Sequence, residues 1–219
     1  MTIRSARPED AEFIAQTIQS SQRGYRSRGW FDVALGWPDA QCRAFIARIA
    51  VAQAMSMWHV SQFLVAEVDG KPAAALCALP GAGTGPAAWR AIEEVAAATG
   101  LAASELEAIR RRGGYTRACW VQGGEGDWMI EHVATDPVHR GRGLVQALIA
   151  HALEKGRAAG FNRATISFLI GNEPAERAYA KAGFVLAEEK RDPAFEAIIG
   201  APGFRMFARK MGCSANGDS

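Results

Sequence analysis

The sequence has little that would bind a polyanion or cross a membrane. Its 25 basic residues stand against 23 acidic ones, a formal net charge of +2, which gives no electrostatic ground for a nucleic-acid or membrane partner. No uninterrupted apolar run reaches the ~18 residues of a membrane span. The N-terminal MTIRSARPED lacks the apolar core of a signal peptide. Cysteine is scarce: Cys42, Cys77, Cys119 and Cys213 form no CxxC pair, and no metal is expected. Three of them sit in apolar runs and read as buried free thiols, which points to a reducing, cytoplasmic compartment. The P-loop pattern G-x-x-x-x-G-K-[ST] is absent as well.

What is present suits a soluble globular domain. The chain has 219 residues, 49% hydrophobic and 22% charged, enough to bury a full core. We expect one domain over 1–210 with an insertion over 81–127, and a disordered tail over 211–219. Residues 2–6 read as a strand, and Arg7-Pro8-Glu9-Asp10 opens a helix with apolar positions Ala11, Ile14, Ala15 and Ile18. The stretch 22–39 reads as a loop and 39–59 as a second helix. Asp69-Gly70 between two apolar runs predicts a hairpin. Within the insertion, Ala87–Thr99 reads as a helix, and Ser104 with Glu107 suggests a capping box for another. Arg110-Arg111-Arg112 fits that helix's C-terminus, and Tyr115–Gln122 reads as a strand. Beyond it come a strand at 128–135, a helix at 143–159, a strand at 164–170, a helix at 174–182, and strands at 184–187 and 204–209.

The segment from Trp128 to Ala152 carries the chemistry. A strand runs into Pro137, then Arg140-Gly141-Arg142-Gly143-Leu144-Val145, then an amphipathic helix. N–H groups at a helix N-terminus have no intrahelical acceptor and bind anions. Gly141 and Gly143 let a phosphate approach the main chain, and Arg140 and Arg142 add positive charge. A dinucleotide fingerprint does not fit, because Gln146 stands where the third glycine belongs and Ala164–Ile170 ends without an acid.

With Thr135-Asp136-Pro137-Val138-His139-Arg140-Gly141-Arg142-Gly143, the sequence resembles the GNAT superfamily of N-acetyltransferases, whose signature turn is R-G-x-G between a strand and a helix. The family often carries Gln or Arg three residues before the first Gly, where this chain has Val138. A second motif agrees: N-x-x-A-x-x-x-Y-x-K-x-G-F is matched by Asn172, Ala175, Tyr179, Lys181, Gly183 and Phe184. The resemblance covers roughly Trp128 to Ala187. It implies a mixed α/β (α+β) fold of the acyl-CoA N-acyltransferase type, with a mostly antiparallel central sheet flanked by helices and a helical insertion around 81–113. It also implies acetyl-CoA as co-substrate and a primary amine of a small molecule as acceptor. A homodimer is compatible with it. A non-catalytic acyl-CoA sensor, or a nucleotide-binding protein using the same turn, remains open.

An alkyl amine of pKa near 10.4 is neutral only about once in 2,500 molecules at pH 7, so amine acylation calls for a base. Glu131, a carboxylate among apolar strand residues, is the first candidate, and His132 the second. Strict alternation places Glu131, Val133 and Thr135 on one face and His132 on the other. By resemblance, Tyr179 protonates the departing thiolate, backbone groups of Val133, Ala134 and Thr135 face the acetyl carbonyl, and Asn172 bonds the pantetheine arm. Tyr179 could equally be a packed core residue and Asn172 a helix cap. The stretch holding Tyr25, Trp30, Phe31 and Trp37 beside Arg23, Arg26 and Arg28 is a candidate wall for a small acceptor with an aromatic or apolar body and a carboxylate; the aromatics could equally be core or dimer contacts and the arginines solvated.

Overall fold

The computed structural model describes residues 1–81 and 84–212. Most of the expected tail, Cys213 included, and residues 82–83 lie outside the described residues. Seven strands make one sheet: β1 (Thr2–Ser5), β2 (Phe63–Val68), β3 (Lys71–Pro80), β4 (Trp128–Thr135), β5 (Arg163–Leu169), β6 (Val185–Arg191) and β7 (Gly203–Lys210). Their order is β1-β2-β3-β4-β5-β7-β6. Neighbours run antiparallel except β4 and β5, which are parallel. The mixed, mostly antiparallel sheet flanked by helices is the expected fold.

The sequence builds this sheet by local rules. Asp69 (φ 52°) and Gly70 (φ 72°) form the two-residue turn between β2 and β3. Alternate residues of β2–β4 then go to opposite faces. Val65, Ala75, Cys77 and Met129 join the core beneath α1 (Ala11–Arg23) and α3 (Asp39–Ile49). Leu64, Ala66, Leu76 and Ile130 join the core beneath α6 (Leu144–Ala158). Both faces are covered, which is why β2 and β3 read as nearly continuous apolar runs. Helix α6 lies close against β4: a Cβ on Gly156 would come within 2.6 Å of the Trp128 ring. That contact fixes where the N-terminus of α6 falls relative to the end of β4.

The insertion carries the expected helical pair, α4 (Thr84–Ala98) and α5 (Ala103–Gly113), the latter with Arg110, Arg111 and Arg112 in its last turn. Other expectations are corrected. The stretch 22–39 is not all loop: it contains α2 (Trp30–Leu35), whose N-terminal Gly29 N–H donates to the Asp32 carboxylate at 2.7 Å. Six residues are too few for helical periodicity to show. Helix α3 stops at Ile49 rather than running to 59, and the Glu94 carboxylate on α4 accepts the N–H groups of Gln53 and Ala54 just beyond it (2.7 and 2.9 Å). The capping box at Ser104 is absent, since α5 begins at Ala103 without a side-chain cap.

Tyr115–Gln122 is not a strand. Both edges of β3 are taken by β2 and β4, so its apolar residues pack as a loop, with Cys119 joining Leu169, Phe195 and Ile199. Phe195 and Ile199 belong to α8 (Pro193–Ile199), a further unexpected helix in the β6–β7 connection. Helix α7 (Glu173–Lys181) falls where expected.

Candidate active site

The site begins as a fault in the sheet. Strands β4 and β5 pair only over Trp128↔Ala164, Met129↔Thr165 and Ile130↔Ile166. On its other side β4 pairs Cys77↔Glu131 and Ala75↔Ala134. Between those pairs β3 has one residue, Leu76, and β4 has two, His132 and Val133. This is a β-bulge, and His132 adopts the left-handed φ of 51° that a non-glycine residue rarely takes. Past the bulge β4 and β5 no longer pair. A fork opens between them, with backbone of Glu131–Thr135 along one side and Ser167–Leu169 along the other.

The bulge breaks one part of the alternation read from sequence: Glu131, paired with Cys77 of the α1–α3 core, no longer shares a face with Val133, while His132 and Val133 still point opposite ways. Val133 packs into the α6 core. His132 instead faces α1 and Phe63, whose ring lies 6.3 Å away at 19°. The Ser21 hydroxyl donates its one proton to the Ile18 carbonyl (2.8 Å) and lies 3.2 Å from His132 Nδ1. That nitrogen must therefore donate to Ser21, which leaves Nε2 as the unprotonated acceptor. Nε2 is buried and has no partner among the described residues. Burial pushes the imidazole down to about 4, so it is neutral at pH 7.

Glu131 sits at the fork, 8% exposed, with no hydrogen-bond donor or cation beside it among the described residues. Burial pushes its carboxyl up to about 8. Tyr179 on α7 is 6% exposed, its ring edge-on to Phe168 at 5.4 Å. Burial, and after it the Glu131 charge, raise the phenol well above its usual 10. The Glu131 charge is thus felt at Tyr179, although the two positions are far apart along the chain. Gln146 in the first turn of α6 donates Nε2–H to the Ala178 carbonyl at 2.7 Å. It ties that turn to α7 beside Tyr179, a role that nothing in the sequence pattern assigns to it.

At the end of β4 the chain turns through Pro137 into Gly141 (φ 76°) and Gly143 (φ 75°), both in the left-handed region and both with open space around them. The first capping bond of α6 runs from Ala147 N–H to the Gly143 carbonyl (3.1 Å), so the N–H groups of Leu144, Val145 and Gln146 have no helical acceptor. No side chain caps them. Arg140 and Arg142 are exposed and make no ion pair among the described residues. The Leu144 side chain is buried and Val145 half-buried, so these two offer backbone only. The free N–H groups, the open glycines and the unpaired arginines fit a diphosphate.

Ala134 and Thr135 border a cleft of about 80 Å³ against α1, with Thr17 and Ser20 opposite and Arg140 at the rim. Asn172 caps α7, its Oδ1 accepting the Ala175 N–H at 3.4 Å, while its Nδ2 faces Gly24 at the end of α1.

The structure divides the candidate acceptor wall. Trp30 and Phe31 pack with Trp58, Trp37 packs on Phe45, and Arg23 is held by Asp32 and Asp39 at 2.7 Å each. Tyr25 stays outside this core and donates its hydroxyl to the Ile170 carbonyl at 2.7 Å. Among the described residues there is no cluster of three metal-ligating side chains and no helix long and apolar enough to cross a membrane.

The sheet is thus mixed and forked between two parallel strands, with an uncapped helix N-terminus following one of them. The chain belongs to the acetyltransferase (GNAT) family, whose sequence model matches residues 30–184. No curated protein matches it. The fold is similar to that of a crystallised acetyltransferase (17% identity, TM-score 0.67, covering 97% of this chain and 100% of that one). It is also similar to an N-acetyltransferase from Staphylococcus aureus Mu50 (22%, 0.63, 95% and 100%) and to SsHAT (16%, 0.60, 96% and 98%). At these identities the likeness speaks for the fold alone.

Proposed function

We propose that the protein transfers the acetyl group of acetyl-CoA to a primary amine of a small molecule by direct attack. The observation that carries this reading is the fork: two strands that part at Ile130 and Ile166, with Glu131 on one arm and Tyr179 behind. The donor's diphosphate rests on the N–H groups of Leu144 and Val145 and the backbone of Arg140–Gly143. The pantetheine arm runs along Val133–Thr135 toward Glu131. Asn172, whose Oδ1 is committed to the α7 cap, reaches this arm through Nδ2.

Glu131 takes a proton from the acceptor ammonium, directly or through a water. A carboxylate poised near 8 is a far better match to an amine than one of ordinary acidity. The neutral amine forms a bond to the acetyl carbon, and the carbonyl oxygen gathers charge beside β4 backbone N–H groups. The C–S bond then breaks, its electron pair stays on sulfur, Tyr179 protonates that thiolate, and the nitrogen's second proton passes through water to restore the phenol. The phenol stays protonated at all working pH values.

A second reading has a specific observation in its favour. His132 Nε2 is an unprotonated, unpartnered lone pair at the bulge, and it could serve as the base in place of Glu131.

Thiol release from acetyl-CoA over a panel of small amines tests the reading; binding of acetyl-CoA without thiol release would leave a sensor. Tyr179→Phe is expected to lower kcat about 10- to 100-fold, toward the lower end of proton-transfer catalysis, with little change in acetyl-CoA affinity. Unchanged kcat would remove Tyr179 from the mechanism.

A further inference from the structure

Three arginines stand at the end of α1 and on its connection to α2, and the structure separates them by what they hold. Arg23 is neutralised by Asp32 and Asp39. Arg28 donates Nη2–H to the Ile198 carbonyl on α8 at 2.9 Å. Arg26 makes no ion pair among the described residues. Its Nη2 donates to the Tyr25 hydroxyl at 3.0 Å, its Cζ lies 4.2 Å from the centre of the Tyr25 ring, and its buried Nε has no partner. A half-buried guanidinium that has lost water around one donor and gained no acceptor for it is incompletely satisfied.

Its place in the fold gives that gap a meaning. Tyr25, the ring beneath it, is anchored to Ile170 at the end of β5. A Cβ on Gly171 would meet the same hydroxyl at 2.6 Å. Asn172 follows and opens α7, which carries Tyr179. On the other side, Arg26 lies within 3.6 Å of where a Cβ on Gly200 would stand, at the end of α8. The guanidinium is therefore held between the β5–α7 turn and α8, at the open end of the fork. The diphosphate turn, by contrast, follows β4.

We infer that Arg26 is an anion subsite for the acceptor, and that the acceptor is an amine bearing a carboxylate. A guanidinium offers two parallel N–H donors in the geometry a carboxylate accepts. The Tyr25 ring fixes its plane, and no acid among the described residues competes for it. The inference rests on the amine-acetylation reading above and adds the acceptor's second functional group.

Matched acceptors test it: glycine, methionine and phenylalanine, each as the free carboxylate and as the carboxamide, with wild type and Arg26→Gln. Comparing the carboxylate-to-carboxamide ratio of kcat/KM between the two proteins cancels the difference in amine basicity. The variant is expected to lower that ratio about 10- to 100-fold, as for loss of a hydrogen bond to a charged partner, with the KM for acetyl-CoA unchanged. Arg26→Lys, which keeps the charge and loses the fork, should fall between.

An unchanged ratio overturns the inference, as does a change confined to the KM for acetyl-CoA, which would give Arg26 to the donor. Calorimetry of phenylalanine and phenylalaninamide into the CoA-saturated protein reads the same preference without turnover. Absence of thiol release with every amine would sink the acetyltransferase reading, while equal binding of acid and amide by wild type would sink only the role of Arg26.

Discussion

Glu131→Gln is expected to lower kcat/KM about 100-fold or more at pH 7, the usual worth of a positioned base. The pH profile should change shape as well. Wild type rises as the buried carboxyl ionises, with an inflection near 8. The variant lacks that inflection and recovers part of its rate at high pH, where the acceptor supplies its own neutral amine.

A stability readout accompanies the kinetic one, and its sign follows from the same burial. The folded protein holds the Glu131 proton up to about pH 8, while the unfolded chain releases it near 4.5. Between those values the folded state binds more protons, so stability falls as pH rises, by at most ~1.4 kcal/mol per pH unit. The glutamine variant carries no such penalty. It should gain on wild type in urea melts from pH 5 to 8, and the gain should level off above 8. A variant that loses rate without this pH-dependent gain would mean that Glu131 is not held in the buried, proton-retaining state.

Gly143→Val is expected to weaken acetyl-CoA binding about 100-fold, with the fold intact by circular dichroism. The argument is backbone geometry, not crowding: Gly143 has a φ of 75°, and nothing lies within 4 Å of where a Cβ would stand. A β-branched residue strains that conformation. Relaxing the strain turns the N–H groups of Leu144 and Val145 away from their common focus. Losing one or two hydrogen bonds to a charged diphosphate accounts for the magnitude. Alanine at 143, less averse to this region than valine, should give a smaller loss. Wild-type affinity in the valine variant would move the donor's phosphates away from this turn.

How much of this is legible in the sequence depends on how local the cause is. The turn at Arg140–Val145 is readable because glycines, a proline and a helical pattern lie within a few residues of one another. The hairpin at Asp69-Gly70 is readable for the same reason. Glu131 stands out because a carboxylate interrupts an apolar strand. The bulge at His132 is not readable: the extra residue shows only when β4 is set against β3, and it parts Glu131 from Val133, which alternation puts on one face.

Ser21 and Gln146 likewise acquire their roles from partners far along the chain, at His132 and Ala178. Helices α2 and α8, of six and seven residues, are too short for periodicity to reveal. Their caps are the available signal, Asp32 accepting from Gly29 in one and Asp192 accepting the Phe195 N–H at 2.7 Å in the other. The candidate acceptor wall is only partly legible because aromatic content alone does not tell a cleft from a core: Trp30 and Phe31 go to the core, while Tyr25 stays outside it.

The central claim is that the Arg140–Val145 turn and the adjoining fork hold a CoA thioester. Isothermal titration of the purified protein with acetyl-CoA, CoA and NAD tests it most directly. The account predicts that both CoA species bind at one site with similar affinity, since the diphosphate and pantetheine contacts are common to them, and that NAD does not bind. Binding of NAD with no heat from either CoA species would contradict it.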